Sequence, residues 1–238
     1  MAKERLDKLI ASTGRWSRRE VKTLVREGRV LVDGRIAGSA EEKYDAESCR
    51  IAVNGEELLL RRHTYVMLHK PAGVLSATED GRGRTVLDLL TPELRKIGVF
   101  PVGRLDKDTE GLLLLTDDGE LAHALLSPKK HVDKVYYARV SGRLAPEDCA
   151  AFEAGMTLGD GLECLPAGLE ILAAGEMSEC LVTLREGKFH QVKRMLAARG
   201  KPVEYLKRLS MGSLRLDDTL APGEFRLLTA AEEAQLQR

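Results

Sequence analysis

No uninterrupted apolar run in this 238-residue chain exceeds four residues, whereas a helix that crosses a bilayer needs about 20. A membrane span is therefore not expected. The opening Met-Ala-Lys-Glu-Arg-Leu-Asp-Lys is charged where a secretory signal would be apolar, so no such signal is expected either. Cysteine is sparse: Cys49, Cys149, Cys164 and Cys180 stand alone, without CxxC spacing or a histidine at ligand spacing. That argues against a structural zinc site and for reduced thiols in a cytoplasmic protein. Internal repeats and low-complexity segments are lacking as well. With 43% apolar and 31% charged residues, the composition is that of a folded globular chain, and extensive disorder is excluded.

Net charge is also lacking, with 37 Lys and Arg against 37 Asp and Glu. The balance hides segregation. Residues 1–35 carry ten basic against five acidic side chains, and residues 36–60 carry two against six. Residues 185–215 carry nine against two, and residues 216–238 two against five. Such separation suits a protein with one face turned to a polyanion, although solvated helix faces can also be basic.

The first third reads as two helices and then short strands. Leu6, Leu9 and Ile10 lie at i, i+3, i+4, and Val21, Leu24 and Val25 repeat that stripe, the period of a helix with one buried face. Ser17-Arg-Arg-Glu20 is a capping box at the start of the second helix. Arg29-Val-Leu-Val-Asp33-Gly34 predicts a strand ending in a hairpin turn, with another strand near Cys49–Val53 before Asn54-Gly55. Arg18, Lys22 and Arg26, spaced i, i+4, i+8, form a cationic stripe, thickened by Arg15 and Arg19. Over about residues 3–55 these features resemble the S4 RNA-binding module, which implies RNA binding by Arg15, Arg18, Arg19, Lys22 and Arg26.

A domain boundary is expected near residue 60, giving domains 1–60 and 61–238. Beyond it, strands are predicted at Tyr65–His69, Leu112–Thr116, Lys134–Val140 and Glu179–Leu184. Helices are predicted at Thr85–Leu90, Glu120–Leu126, Pro146–Ala154 and His190–Ala198. The elements mix without a regular βαβ alternation, so the fold class is α+β with a largely antiparallel sheet.

The densest concentration of reactive groups is Gly103-Arg-Leu-Asp-Lys-Asp-Thr-Glu-Gly111. Two glycines bracket three carboxylates, two cations and a hydroxyl, and a strand of four leucines follows. A polar loop anchored to a buried strand is a usual place for chemistry. Composition alone gives Asp106 and Asp108 equal claim to it. Partners could come from Lys134-Val-Tyr136-Tyr137 and from Glu186-Gly-Lys-Phe-His190-Gln-Val-Lys193-Arg194-Met195.

In order, K-P-x-G at 70–73, G-R-L-D-x-D-T-x-G-L-L-L-L-T-x-D-G at 103–119, K-x-Y at 134–136 and G-K-x-H-Q-V-K-R-M at 187–195 resemble the bacterial rRNA pseudouridine synthases that carry an N-terminal S4 module. The resemblance covers nearly the whole chain. It implies a catalytic domain with a mixed, mainly antiparallel sheet, no cofactor and no metal. It implies Asp106 as the catalytic nucleophile, Tyr136 in the active site and Lys193 as the basic partner, with Arg194 as the alternative to Lys193. Arg104 and Arg194 would contact RNA, and Arg104 could fill the space of a flipped base. His190-Gln-Val-Lys-Arg194 is similar to the small-subunit branch, which implies uridine 516 of 16S rRNA, or a small-subunit assembly intermediate, as substrate for a monomeric enzyme. A 23S rRNA synthase of the same family and a non-catalytic rRNA-binding assembly factor are the alternatives.

Overall fold

A computed structural model describes residues 3–46, 48–127 and 130–236. The chain divides into two compact units, Met1–Thr64 with Leu90–Val99, and Tyr65–Leu89 with Phe100–Arg238. The sequence offers no sign that Leu90–Val99 leaves the second part of the chain for the first unit.

In the first unit, α1 (Leu6–Ala11) and α2 (Arg18–Arg26) follow the two predicted stripes. Leu6, Leu9, Ile10, Val21, Leu24 and Val25 all enter one buried cluster. The capping box forms as expected: the Ser17 side chain accepts from Glu20 N, and Ser17 N donates to the Glu20 carboxylate at 2.7 Å. Strands β1 (Val30–Val32), β2 (Arg35–Ile36), β3 (Ile51–Val53) and β4 (Glu56–Glu57) make a four-stranded antiparallel sheet in the order β2-β1-β3-β4. Its two hairpin turns hold Asp33-Gly34 and Asn54-Gly55 at positive φ, the geometry that favours Asx-Gly pairs. A short helix, α3 (Pro92–Ile97), completes this unit.

The second unit is built on β5 (Tyr65–Lys70), β6 (Glu110–Thr116), β7 (Lys134–Ser141), β8 (Gly168–Ala173), β9 (Met177–Leu184), β10 (Val203–Met211) and β11 (Phe225–Leu227). They lie side by side in the order β8-β9-β7-β10-β6-β5-β11. Every pair along this path is antiparallel except β10 with β6, which run parallel through Lys207↔Glu110 and Arg208↔Gly111. The sheet is thus mixed and mainly antiparallel, as the sequence implies. Leu112–Leu115 are fully buried, because β6 lies inside the sheet and is covered on both faces, which is what a continuous apolar run predicts. Helices α4 (Gly119–Leu126), α5 (Pro146–Ala154) and α6 (Gln191–Ala198) fall where expected. The predicted helix at Thr85–Leu90 is a 3-10 turn, Val86–Leu89.

Candidate active site

The Gly103–Gly111 loop is held from several directions within the second unit. At Gly111, φ is +105°, and a Cβ would stand 2.2 Å from Arg208 O and 2.6 Å from Arg208 N. Only glycine lets β6 start this close to β10. Thr109 N donates to Asp106 O at 3.1 Å, closing a turn that presents Asp106. Ser76 Oγ donates to Leu105 O and accepts from Leu105 N, at 3.0 and 3.1 Å. Gly73 N donates to Lys107 O at 2.7 Å.

Beneath the loop, Lys70 has no exposed surface. Its ammonium donates to the carbonyls of Pro71, Lys107 and Thr109 at 3.0, 3.2 and 2.9 Å. Burial pushes its pKa down to about 8. The K-P-x-G segment is therefore more than a turn, since its lysine ties two carbonyls of the loop to β5. Sequence reading gave Lys70 no such role, because a lone lysine beside a proline reads as surface.

The loop and α6 meet around Asp106. Lys193 Nζ lies 3.2 Å from Asp106 Oδ2, and His190 Nε2 lies 3.5 Å from Asp106 Oδ1. Thr109, almost wholly buried, brings its hydroxyl to 3.5 Å from Oδ2. The same Lys193 ammonium lies 2.5 Å from Asp108 Oδ1. That contact holds the Asp108 carboxyl below the usual carboxylate range. Asp108 is 76% exposed against 24% for Asp106. The two aspartates share one cation, but only Asp106 lines the pocket.

That pocket, about 70 Å³, is lined by Arg104, Asp106, Tyr136, Lys188, His190 and Gln191 among others. Tyr136 is buried on β7, and the alternating burial of Lys134–Ser141 turns Tyr137 to the other face of the sheet. There Tyr137 packs edge-to-face on Tyr205, with centroids 6.1 Å apart. Three larger hollows, about 570, 460 and 420 Å³, contain neither Asp106 nor Tyr136. Chemistry, not volume, picks out the smaller one. Arg104 is exposed at the pocket and makes no ion pair with a described residue. Arg194 turns away and pairs with Asp160 at 2.5 Å. Of the two basic candidates on α6, Lys193 is the one that reaches Asp106.

Two further groups stand here: His190, which the sequence places in the 187–195 motif without a role of its own, and Arg208, which no motif contains. His190 sits at φ +49° as the residue that caps α6, and this left-handed turn carries its ring to Asp106. Arg208, only 2% exposed, lies across from Tyr136 on β10. Its Nε donates to Leu112 O at 2.8 Å, and its Nη2 has no hydrogen-bond partner among the described residues.

In the first unit the cationic residues of α2 are exposed, as the stripe predicts, but several are already paired. Arg18 donates to both oxygens of the fully buried Asp7 at 3.0 and 3.1 Å. Lys22 pairs with Glu41 at 3.2 Å, and Arg15 with Glu56 at 2.6 Å. Arg26 bonds Lys22 O and Thr23 Oγ1 within its own helix. The Arg19 guanidinium makes no ion pair or hydrogen bond with a described residue, although its carbonyl accepts from Thr23 Oγ1 at 3.4 Å.

Residues 64–198 match the RNA pseudouridylate synthase family, and residues 4–48 match the S4 domain. The chain belongs to the RNA pseudouridylate synthases. The synthase is 50% identical over 229 residues to an uncharacterised RNA pseudouridine synthase of Bacillus subtilis, covering 96% of each chain. It is 40% identical to ribosomal small subunit pseudouridine synthase A of Vibrio cholerae, over 98% of this chain and 99% of that one. It is 38% identical to ribosomal large subunit pseudouridine synthase B of Bacillus subtilis, over 98% and 96%. A solved pseudouridylate synthase superposes with a TM-score of 0.68 at 35% identity, covering 98% of this chain and 99% of that one. The synthase is thus an RNA-modifying isomerase with an S4 module, the family to which its motifs pointed. Among its described residues, no helix is long and apolar enough to cross a membrane.

Proposed function

We propose that the synthase isomerises one uridine of ribosomal RNA to pseudouridine, with Asp106 as nucleophile and uridine 516 of 16S rRNA as the target. The observation that carries the chemistry is Asp106 set between Lys193 and His190, in the pocket that Tyr136 also lines. Uridine must lose its N-glycosidic bond, turn its base and rejoin through carbon. The sugar needs a carboxylate at the reacting centre. Lys193 balances that carboxylate in a partly desolvated pocket. A base acted on in this way must leave its stack. Tyr136 offers the extruded ring a flat face and its hydroxyl to the sugar, and Arg104 at the rim is free to grip a phosphate or fill the vacated space.

The target is supported by the relative named for the small ribosomal subunit and by the His190-Gln-Val-Lys-Arg194 motif. The relative named for the large subunit makes 23S rRNA the competing target. A monomeric enzyme working in the cytoplasm on 16S rRNA, or on a small-subunit assembly intermediate, fits this reading.

Tritium release from rRNA labelled at uridine C5 tests the reaction, because that hydrogen is lost when the carbon–carbon bond forms. Wild-type protein should release tritium from 16S rRNA. Asp106→Asn should release none and should bind RNA within a small factor of wild type. Tritium release by Asp106→Asn at the wild-type rate would overturn the role of Asp106. In a strain lacking the gene, pseudouridine should vanish from position 516. Its persistence there, with a loss in 23S rRNA, would move the target to the large subunit.

A further inference from the structure

Phe189 is the most conspicuous apolar side chain near the pocket, 74% exposed between two residues that belong to the site. Leaving a phenyl ring in water forgoes burial that stabilises most aromatic side chains. The ring is nevertheless ordered by its neighbour. It lies on the His190 imidazole, with centroids 3.8 Å apart and planes inclined by 17°. His190 in turn points its Nε2 edge toward Asp106 and holds a left-handed backbone that few residues other than glycine adopt. The turn that brings His190 to the carboxylate therefore also sets Phe189 flat against the outside of the imidazole. One face of the phenyl ring is covered by His190, and the exposure of the side chain belongs to the other.

The surroundings say what this free face can receive. Arg104 at the same pocket has no ion-pair partner among the described residues, whereas Lys193 is already held by Asp106 and Asp108. A flat aromatic face beside unspent positive charge is the arrangement that binds single-stranded nucleic acid: bases stack while cations hold the backbone. An apolar protein segment would need a wider apolar surface than this single ring. Taking the pocket to accept an extruded uridine, as proposed above, the strand on either side must leave regular stacking, which exposes a neighbouring base in need of a new partner.

We infer that Phe189, braced on His190, is a stacking platform for the unpaired nucleobase next to the target uridine, and so a determinant of which RNA the enzyme accepts. Phe189→Ala should raise KM for rRNA about tenfold, within the range found for removing one base–aromatic stack, and lower kcat by much less. Phe189→Trp should keep affinity near wild type or improve it. Phe189→Leu decides between explanations, since it retains apolar bulk against His190 and loses the aromatic face. Leucine behaving like alanine supports base stacking. Leucine behaving like phenylalanine, or a fall in kcat with KM unmoved, would overturn the platform and leave Phe189 as a prop for His190 or a contact for another protein. The same variants are titrated against a short single-stranded uridine-rich RNA without reference to turnover. If the wild-type protein modified no ribosomal RNA, the proposed target would fail, and the platform would still stand or fall on these affinities.

Discussion

Arg18 Nη2 donates to both carboxylate oxygens of Asp7, a side chain with no exposed surface. Arg5 reaches the same carboxylate. Burial pushes the Asp7 pKa up, but the hydrogen bonds from Arg5 and Arg18 outweigh it and leave the group below the usual carboxylate range. A cation of the stripe that the sequence assigns to RNA is thus also bonded to a buried carboxylate of its own unit. Arg18→Ala should destabilise the first unit by about 1.5–3 kcal/mol, the scale of a hydrogen bond to a charged group, toward the lower end with Arg5 still in place. Equilibrium denaturation measures this. Arg19→Ala with Arg26→Ala should leave stability within about 0.5 kcal/mol and weaken RNA binding. The slope of log affinity against log salt should fall by about 1.5, if each arginine neutralises one phosphate.

The stabilisation from Asp7 has a sign in pH. Its folded pKa is depressed, so its contribution is complete above the ordinary carboxylate value near 3.8 and is lost as pH falls through the folded value. Urea midpoints of wild type should drop more steeply below about pH 4 than those of Asp7→Asn. Parallel curves for the two proteins would count against this linkage.

Lys193 sits closer to Asp108 than to Asp106, yet only Asp106 lines the pocket. Asp108→Asn removes the competing charge and should keep single-turnover activity within about tenfold of wild type, since an exposed carboxylate contributes little to binding of its cation. Lys193→Met should cost at least about a hundredfold, in keeping with loss of a preorganised charge beside the reacting group. Equal losses in the two variants would make the Lys193–Asp108 contact, rather than Lys193–Asp106, the one that matters.

Tyr136 and Tyr137 are adjacent on β7 but occupy opposite faces. Tyr136→Phe should lower turnover strongly, while Tyr137→Phe should leave it within about twofold, as expected of a surface change. Circular dichroism of both variants confirms folding, and rapid-quench kinetics give the rates.

Lys70 donates to three carbonyls, and a neutral amine has only two N–H groups to give. Burial brings its pKa to about 8. As pH rises through 8, one carbonyl loses its donor and the loop carrying Asp106 loosens. Turnover should then decline on the alkaline side. Stability should not fall with it: a buried lysine with a lowered pKa disfavours folding while charged, and that cost shrinks between pH 8 and the ordinary lysine value near 10.5. Lys70→Met should lose most activity and the alkaline limb together, which a pH–rate profile reads directly.

Much of this was legible in the chain because local signals agreed with the fold. The Ser17 capping box, the two Asx-Gly hairpins and the Leu112–Leu115 run each formed as the sequence predicts. Strand β10 was not legible. Its pairing with β7 shifts register between Val135 and Tyr136 and again between Arg139 and Val140, so Val203–Met211 shows no clean alternation and reads as a basic stretch. At the site, motif order identified the loop, but the share of Lys193 taken by Asp108, the turn at His190 and the burial of Lys70 are tertiary facts. Charge spacing on α2 likewise gave the stripe without showing that Asp7, Glu41 and Glu56 occupy Arg18, Lys22 and Arg15.

In the order β8-β9-β7-β10-β6-β5-β11, β10 alone joins the strand that follows Asp106 to the strand that carries Tyr136. A chain cut after α6 would contain Asp106, Tyr136 and Lys193, yet it would hold them on two sheets with nothing between. During synthesis, then, Asp106, Tyr136 and Lys193 are all made before Val203–Met211, the strand that closes the sheet between the first two.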